Sequence, residues 1–544
     1  MPLGHVWPVN IRQYLDQTGL TLAEFAAQVA VSAAAMSRYA RGKRMPRPDV
    51  VRRITAASGG RIQANDLFEL AAAPGPRGPG AAGAEAGAAP SPSPPLPSPL
   101  APSPLAPFES VELLIADLNG TLRGKRIAAD QVTKALADQV RLPGSLFGLD
   151  ISGDNAPGTG LVWAIGDVDK VLSPADGRLR PVPWAERPTA QLLMTMRNDD
   201  GSPFYGDPRH VLGAVVERFA ATGTRPVVAV ELEFYLLDRG RDEEGRVQPP
   251  RSPITGRRER DIQVYGIEQI AAFSALFDDI AAACAAQEVP ASTAVSEYAP
   301  GQYEVNLVHL DDPVAAADHA LLLKRVVKAA ARKHGVEATF MAKPMAAHAG
   351  NGLHIHVSLV DDAGHNLFAG GGEAINATLG HAIGGLRATM AEAMAIFAPN
   401  ANSYRRLRPG SYAPLAPTWG LENRTVALRV PGGEAASRRV EHRVAGADAN
   451  VYLVMAAVLA GIRHGLEQGL EPGQRTTGNA YDKVPPSLPT TWADALHRFE
   501  RGAVIPEALG PEFCRLYATV KRYELAKFEN VITPRELDWY LHAV

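Results

Sequence analysis

The stretch Val227 to Asp238, VVAVELEFYLLD, decides how the rest of this chain is read, because two carboxylates stand in an apolar run rich in β-branched and aromatic residues. Such a run predicts a strand. Glu231 and Glu233 are two apart, so on a strand they share one face, beside Ala229 and Tyr235. Two unpaired carboxylates there would repel each other and suffer from desolvation, and a cation is the simplest cure.

Three further segments repeat the anomaly. Ser296 to Leu307, SEYAPGQYEVNL, offers Glu297 and Glu304, and Gly350 to Leu359, GNGLHIHVSL, sets His354 and His356 on one strand face behind a glycine pair. Arg438 to Arg443, RRVEHR, places Glu441 among arginines; shortly before it, Asn423 to Pro431, NRTVALRVP, carries Arg424 and Arg429. Carboxylates with one or two imidazoles and no thiolates make a hard site suited to Mg²⁺ or Mn²⁺ rather than to structural zinc. Nearby arginines suit phosphate and carboxylate.

In these residues the chain resembles the glutamine synthetase family. VELEF, SEYAPGQYE, NGLHIHVSL, NSYRRLRPG, NRTVALRVP and EHR stand in the family's order over roughly residues 109 to 544. The resemblance implies an α+β fold, with a small N-terminal β-grasp domain over 108–205 and a large catalytic domain over 206–544. Within the latter the residues predict strands over 228–238, 303–309, 353–360, 424–430 and 440–444, alternating with helices over 266–288, 313–334, 373–397 and 448–468. In that fold a funnel of antiparallel strands holds two or three divalent ions, with ATP as co-substrate entering at one end and glutamate at the other. Glu233, Glu297 and Glu304 match the ligands of one metal; Glu231, His354 and Glu441 match those of a second. Arg406, in NSYRRL, matches the clamp on the glutamate α-carboxylate, and Arg424 and Arg443 match groups that meet the γ-glutamyl phosphate. Arg429, His356 and Ser358 match contacts on the ATP side, while Gly350 and Gly352 let backbone come close to substrate. Phosphoryl transfer to a carboxylate brings two anions together, so metals and arginines are needed to neutralise them. The family also forms a homododecamer of two stacked hexameric rings with active sites shared between neighbours.

Departures from the family pattern bear on the acceptor. Ammonia-using members carry a glutamate in the flap after a PG dipeptide, where this chain has Pro409-Gly410-Ser411-Tyr412. The ammonium-binding aspartate has no clear counterpart: Asp150 and Asp154, in GLDISGDN, are near the right region without the family's DGSS pattern, and Ala349 replaces an Asn. An aromatic at Tyr412 suits an alkylammonium or aryl amine with an apolar body. The chain therefore looks closest to the branch that joins glutamate to polyamines and other organic amines, with ammonia as the alternative acceptor. Tyr481, in NAYDKVPP, is similar to a segment that is covalently modified in some ammonia synthetases.

Residues 1–70 predict a compact helical unit. Ile11 to Gln17 forms a first helix, Thr21-Leu22-Ala23-Glu24 is a capping box opening a second, and Ser32 to Tyr39 forms a third. The unit resembles the phage-repressor type of helix-turn-helix, with Ser32 to Arg38 as recognition helix. Ala30 stands where the turn usually has Gly. Ser32, Ser37 and Arg38 are candidate DNA contacts, but Ala33 and Ala34 make direct base readout thin. Lys43, Arg44, Arg47, Arg52 and Arg53 are candidates for phosphate. The body could then be a sensor for a DNA-binding regulator, or the head a protein-contact unit; a structural pseudoenzyme would need missing ligands, and none is missing.

Residues 71–107 hold 12 Pro, 11 Ala, five Gly and four Ser, which predicts a linker spanning on the order of 35 Å as a coil. The whole chain balances 55 basic against 58 acidic residues, so neither a membrane surface nor nucleic acid is implied by bulk charge, although the head alone has nine Lys/Arg against five Asp/Glu. Cys284 and Cys514 neighbour no ligand candidate and fit a reducing, cytoplasmic setting. The longest apolar helix, Val451 to Ile462, is too short to span a bilayer, and no N-terminal charged-then-apolar signal is present.

Overall fold

The computed structural model describes residues 11–40, 48–58, 108–370 and 374–544. They fall into two compact units, within Met1–Ser98 and Pro99–Val544.

The first unit contains α1 (Ile11–Thr18), α2 (Leu22–Gln28), α3 (Ala33–Ala40) and α4 (Pro48–Ala57). The capping box forms as expected: the Glu24 amide donates to Thr21 Oγ1 at 3.2 Å and the Thr21 amide to Glu24 Oε2 at 2.8 Å. Ile11, Phe25, Val29 and Met36 make the buried core. The fourth helix was not foreseen, and its Val50 and Ile54 complete that core. Between α2 and α3 the chain turns through Ala30 at φ +56°, a left-handed backbone that strains a residue with a Cβ.

Arg53 corrects an expectation. Its guanidinium donates to the carbonyls of Val29 at 3.0 Å and Ala30 at 3.1 Å, so it holds the strained turn rather than reaching for phosphate. Ser32 is exposed and its hydroxyl accepts from the Ala35 amide, while Ser37 is half-buried. The side chain of Arg38 and all of Lys43 and Arg44 lie outside the described residues.

In the second unit the α+β expectation is met by two sheets. The smaller runs β2 (Leu122–Ala128), β1 (Ser110–Ala116), β6 (Thr189–Arg197), β4 (Asp169–Pro174), β3 (Val140–Pro143), with β5 (Arg180–Pro181) also on β6. The hairpin turns at Asn119-Gly120, where Gly120 takes φ +71°. β1 and β6 are parallel and the other pairs antiparallel.

The larger sheet is ordered β12 (Trp419–Leu421), β13 (Leu428–Val430), β14 (Val440–His442), β11 (Leu353–Asp361), β7 (Thr224–Leu237), β9 (Gln302–Leu307), β8 (Ala291–Ser296). β10 (Glu337–Thr339) pairs with β7 as well. β7 alternates strictly at its middle: Val228, Val230, Leu232 and Phe234 are fully buried, and the glutamates between them are not. The helices Pro208–Ala220 and Pro313–Lys333 pack on this strand.

Element bounds differ from the sequence reading where side chains cap the backbone. The strand expected from 424 begins at Leu428, because Asn423 Oδ1 accepts from the amide and hydroxyl of Thr425 and curls the segment. The helix expected over 373–397 is Ala377–Thr389 followed by the short Met394–Phe397, and its start is set by Asn376, whose Oδ1 accepts from the Leu379 amide. Among the described residues no helix is long and apolar enough to cross a membrane.

Candidate functional site

Strand register builds the site. β7 lies between β9 and β11, and pairing sets Glu231 opposite His354 and Glu233 opposite Glu304. β14 then adds Glu441 opposite His356. Glu297 follows β8 directly, its amide bonded to the Gln302 carbonyl at the turn into β9. All six expected metal-ligating residues, drawn from five segments of chain, thus meet on one face of one sheet. Donor atoms of Glu231, Glu304 and His354 lie within 4.8 Å of one another, as do those of Glu231, His356 and Glu441.

Contacts divide the cluster into two electrostatic halves. Glu441 is almost fully buried, with Oε2 2.8 Å from Arg429 and Oε1 paired to Arg443. Burial alone would raise its carboxyl, but the Arg443 charge and the imidazoles nearby outweigh it and hold the group down at about 2. Burial also works to raise Glu231, and hydrogen bonds from His354 (3.2 Å) and His356 (2.8 Å) overcome it, keeping this carboxyl far below the usual range.

In the other half the carboxylates outweigh the cations near them. Burial and the charges of Glu231, Glu233 and Glu297 push Glu304 up to about 9; burial and Glu233 push Glu297 up to about 7. Arg424 offsets little of this at Glu297, so the two carboxylates are held where a proton or an added cation would neutralise them. That fits a group of hard divalent ions better than a closed set of structural ion pairs.

His356 has a defined orientation. Its Nδ1 accepts from Arg439 Nε at 3.1 Å, so its Nε2 carries the hydrogen and donates to Glu231. It therefore orients Glu231, and His354 is the imidazole left to ligate. Arg439 escaped the sequence reading because it is one of four arginines between 438 and 443 and 429, indistinguishable by spacing alone.

The glycine pair is explained by close packing. A Cβ on Gly350 would stand 2.6 Å from the Ala342 carbonyl and 2.7 Å from Arg406 Cγ; one on Gly352 would stand 2.7 Å from His354 Nε2. The Gly352 amide donates to Glu233 Oε2 at 2.7 Å. Gln302 and Asn351 also went unnoticed: the Gln302 amide reaches Glu233, the Gly350 carbonyl and Asn351 Oδ1, tying β9 to the glycine loop. Arg406 is buried beneath this loop and donates to the carbonyls of Val444 at 2.8 Å and Arg443 at 3.4 Å. Arg424 is exposed, near enough to Glu297 to oppose the rise of its pKa.

One cavity opens on the cluster: of about 1050 Å³, it is lined by Glu231, His356, Ser358 and Arg439. Another, of about 450 Å³, lies at the flap, between Tyr412, Tyr298 and Lys343. Tyr412 is half exposed at φ +56°, its ring centroid 6.5 Å from that of Tyr298, which the sequence reading quoted within SEYAPGQYE without singling out. Tyr481 donates to the Ala413 carbonyl, joining its loop to the flap.

Asp150 is not available as a cation ligand. It is buried, bonded to the Ser152 and Asp154 amides and to Lys527 at 2.5 Å, and so closes its own turn. Asp154 is exposed, 3.6 Å from the same lysine.

Comparison with known proteins agrees with this site. The glutamine synthetase catalytic domain matches residues 205–540, and a helix-turn-helix domain matches residues 10–60. The chain is 43% identical over 79% of its length to 91% of gamma-glutamylputrescine synthetase PuuA of Escherichia coli K12. It is 32% identical over 80% of its length to 95% of a glutamate–isopropylamine ligase of a Pseudomonas species, and 33% identical over 79% to 92% of gamma-glutamylethanolamide synthetase GlnA4 of Streptomyces coelicolor. Among solved structures, the GmaS/ADP complex superposes with a TM-score of 0.69 at 28% identity, covering 80% of this chain and 97% of that one. With the catalytic domain matched over more than half its length, this chain belongs to the glutamine synthetase family.

Proposed function

We propose that this chain is an ATP-dependent ligase that joins the γ-carboxylate of glutamate to an organic amine. The observation that carries the reading is the convergence of Glu231, Glu233, Glu297, Glu304, His354 and Glu441 on one sheet face, beside a cavity of about 1050 Å³. Family membership implies use of ATP and divalent metal; the oxygen-rich donor set favours Mg²⁺ or Mn²⁺.

In this reading Glu233, Glu297 and Glu304 hold one cation and Glu231, His354 and Glu441 a second. Bound there, the cations supply Lewis-acid charge neutralisation for the phosphates. Arg406 clamps the glutamate α-carboxylate. Ser358 and Arg439 contact ATP on the wide side, with Arg429 at its phosphates. The γ-carboxylate oxygen attacks the terminal phosphorus and ADP leaves, and Arg424 and Arg443 neutralise the acyl phosphate so formed. The amine nitrogen, having given its ammonium proton to bulk solvent, attacks the acyl carbon; phosphate departs with the oxygen and takes up the second nitrogen proton, and the γ-glutamylamide remains.

An organic acceptor, rather than ammonia, is supported by the aromatic pair Tyr298 and Tyr412 at the flap and by the relatives named above, each of which is named for an organic amine. Phosphate release in the presence of ATP, glutamate, Mg²⁺ or Mn²⁺ and a panel of polyamines, monoamines and ammonia tests this. Release with none of the amines sinks the ligase reading, and release with ammonia alone sinks the organic acceptor.

A second reading concerns the head, carried by its helix-turn-helix match and by the exposed Ser32 just ahead of α3. We infer that it binds DNA through phosphates with little base readout, in a cytoplasmic homo-oligomer whose tethered heads act together. A gel shift on the gene's upstream region at two salt concentrations should show binding that weakens steeply with salt and is lost on deleting residues 1–70. Binding that survives the deletion rules the head out.

A further inference from the structure

The ligase reading leaves unused a further cavity, of about 740 Å³, between the hairpin of the small sheet and the helix Pro313–Lys333. None of its walls is shared with the opening on the metal cluster or with the cavity at the flap. Its floor is apolar, made by Leu321, Phe340, Met341, Trp492 and Phe528. Along one side the helix sets Lys324, Lys328 and Arg332 at i, i+4 and i+8, a single row of three cations.

Among the described residues none of the three is in an ion pair. Lys324 donates to the carbonyls of Ala447 at 2.7 Å and Ala449 at 3.1 Å, and its ammonium and that of Lys328 stand 5.6 and 5.8 Å from the centre of the same Phe340 ring. Three carboxylates line the walls as well. Asp150 pairs with Lys527 and Glu524 with Lys521, while Asp448 accepts from Asn400 and Ser403 at Oδ2 and lies close enough to Lys324 to favour its charge. Lys328 and Arg332, one turn apart and with no carboxylate paired to either, repel one another. Burial and the Lys328 charge already depress the Lys324 ammonium, to about 7.

We propose that this cavity binds a small organic anion, a carboxylate or phosphate monoester with an apolar body, outside the catalytic funnel. The anionic end sits between Lys328 and Arg332, and the apolar body covers Phe340 and Met341. Free inorganic anions would gain the charge contact without the floor, so the apolar body is what selects the ligand.

The test uses the full chain with saturating ADP and Mg²⁺, which occupy the arginines of the funnel. Benzoate and phenyl phosphate are titrated by calorimetry, with benzyl alcohol as the uncharged control. Expected is one site per chain for at least one of the two anions, none for the alcohol, and binding weakened at least about tenfold in Lys328→Gln/Arg332→Gln. That variant changes two exposed side chains, and its ligase rate and assembly mass should match the parent. Benzoate alone binding assigns a carboxylate, phenyl phosphate alone a phosphate ester. The proposal is overturned if neither anion binds, if the double variant binds as the parent does, if binding is lost in Arg443→Gln instead, or if the double variant changes assembly mass, which would make the cavity a contact between subunits.

Discussion

Loading the site with divalent cations should expel protons, in a number fixed by two carboxylates. Glu304 sits at about 9 and Glu297 at about 7, because burial and the surrounding glutamates oppose ionisation. Both must be deprotonated to ligate. At pH 7 Glu304 is almost wholly protonated and Glu297 half so, which gives a release of about 1.5 protons per chain, falling to about 0.5 at pH 9. Titration calorimetry of Mn²⁺ into chelator-stripped protein, repeated in buffers of different ionisation enthalpy, measures that number directly. In Glu304→Gln the release at pH 7 should drop to about 0.5. Stability has a matching sign. Both carboxyls have folded-state pKa values above the ordinary 4.5, so their contribution is fully present below about pH 4.5 and is lost as pH rises through 7 and then 9. The stripped protein should therefore lose Tm between pH 6 and about 9 while the loaded protein holds it. A release under about 0.3 protons at pH 7, or an unchanged release in Glu304→Gln, would refute the account of how these carboxylates are held.

Glu441→Gln removes the anion that Arg429 and Arg443 share and one proposed ligand, so kcat for amine-dependent phosphate release should fall about 10²- to 10³-fold; a loss under about tenfold would deny Glu441 its role. Gly350→Ala drives a methyl against the Ala342 carbonyl and the Arg406 stem, so it should raise KM for glutamate about tenfold or more and cost about 1–3 kcal/mol in denaturant unfolding. An unchanged KM would separate that loop from glutamate binding. Ala30→Gly relieves the left-handed turn of the head and should stabilise residues 1–70 by about 1 kcal/mol in chemical denaturation, whereas Arg53→Ala should destabilise them by about 1–3 kcal/mol.

Much of the site was legible because a strand has a side-chain period of two. Glu231 and Glu233, or His354 and His356, share a face whatever the rest of the fold does. What spacing could not supply was register between strands. That Glu233 meets Glu304, and His356 meets Glu441, depends on pairings across 71 and 85 positions that only the assembled sheet defines. Residues acting through backbone carbonyls were invisible for a related reason. Gln302 and Arg53 carry no pattern that separates them from surface residues, and Asp150, one of two acidic candidates in its loop, turned out to serve its own turn. Helix ends failed where a single capping side chain, such as Asn376, overrode a run of helix-forming residues.

The uneven supply of cations also separates the two proposed metal positions. Glu231 and Glu441 are kept ionised by hydrogen bonds and arginines already in the fold, so a cation at Glu231, His354 and Glu441 competes with little proton binding by these carboxylates. A cation at Glu233, Glu297 and Glu304 must displace protons held at about 7 and about 9. Between pH 7 and pH 9 the affinity of that position should rise about a hundredfold, since proton competition there falls by that factor, while carboxylate titration leaves the other position nearly level. Mn²⁺ titrations followed by electron paramagnetic resonance at the two pH values resolve two binding constants. If both climb together, the arginines beside Glu441 do not divide the site, and the assignment of its six ligands to two unlike positions fails.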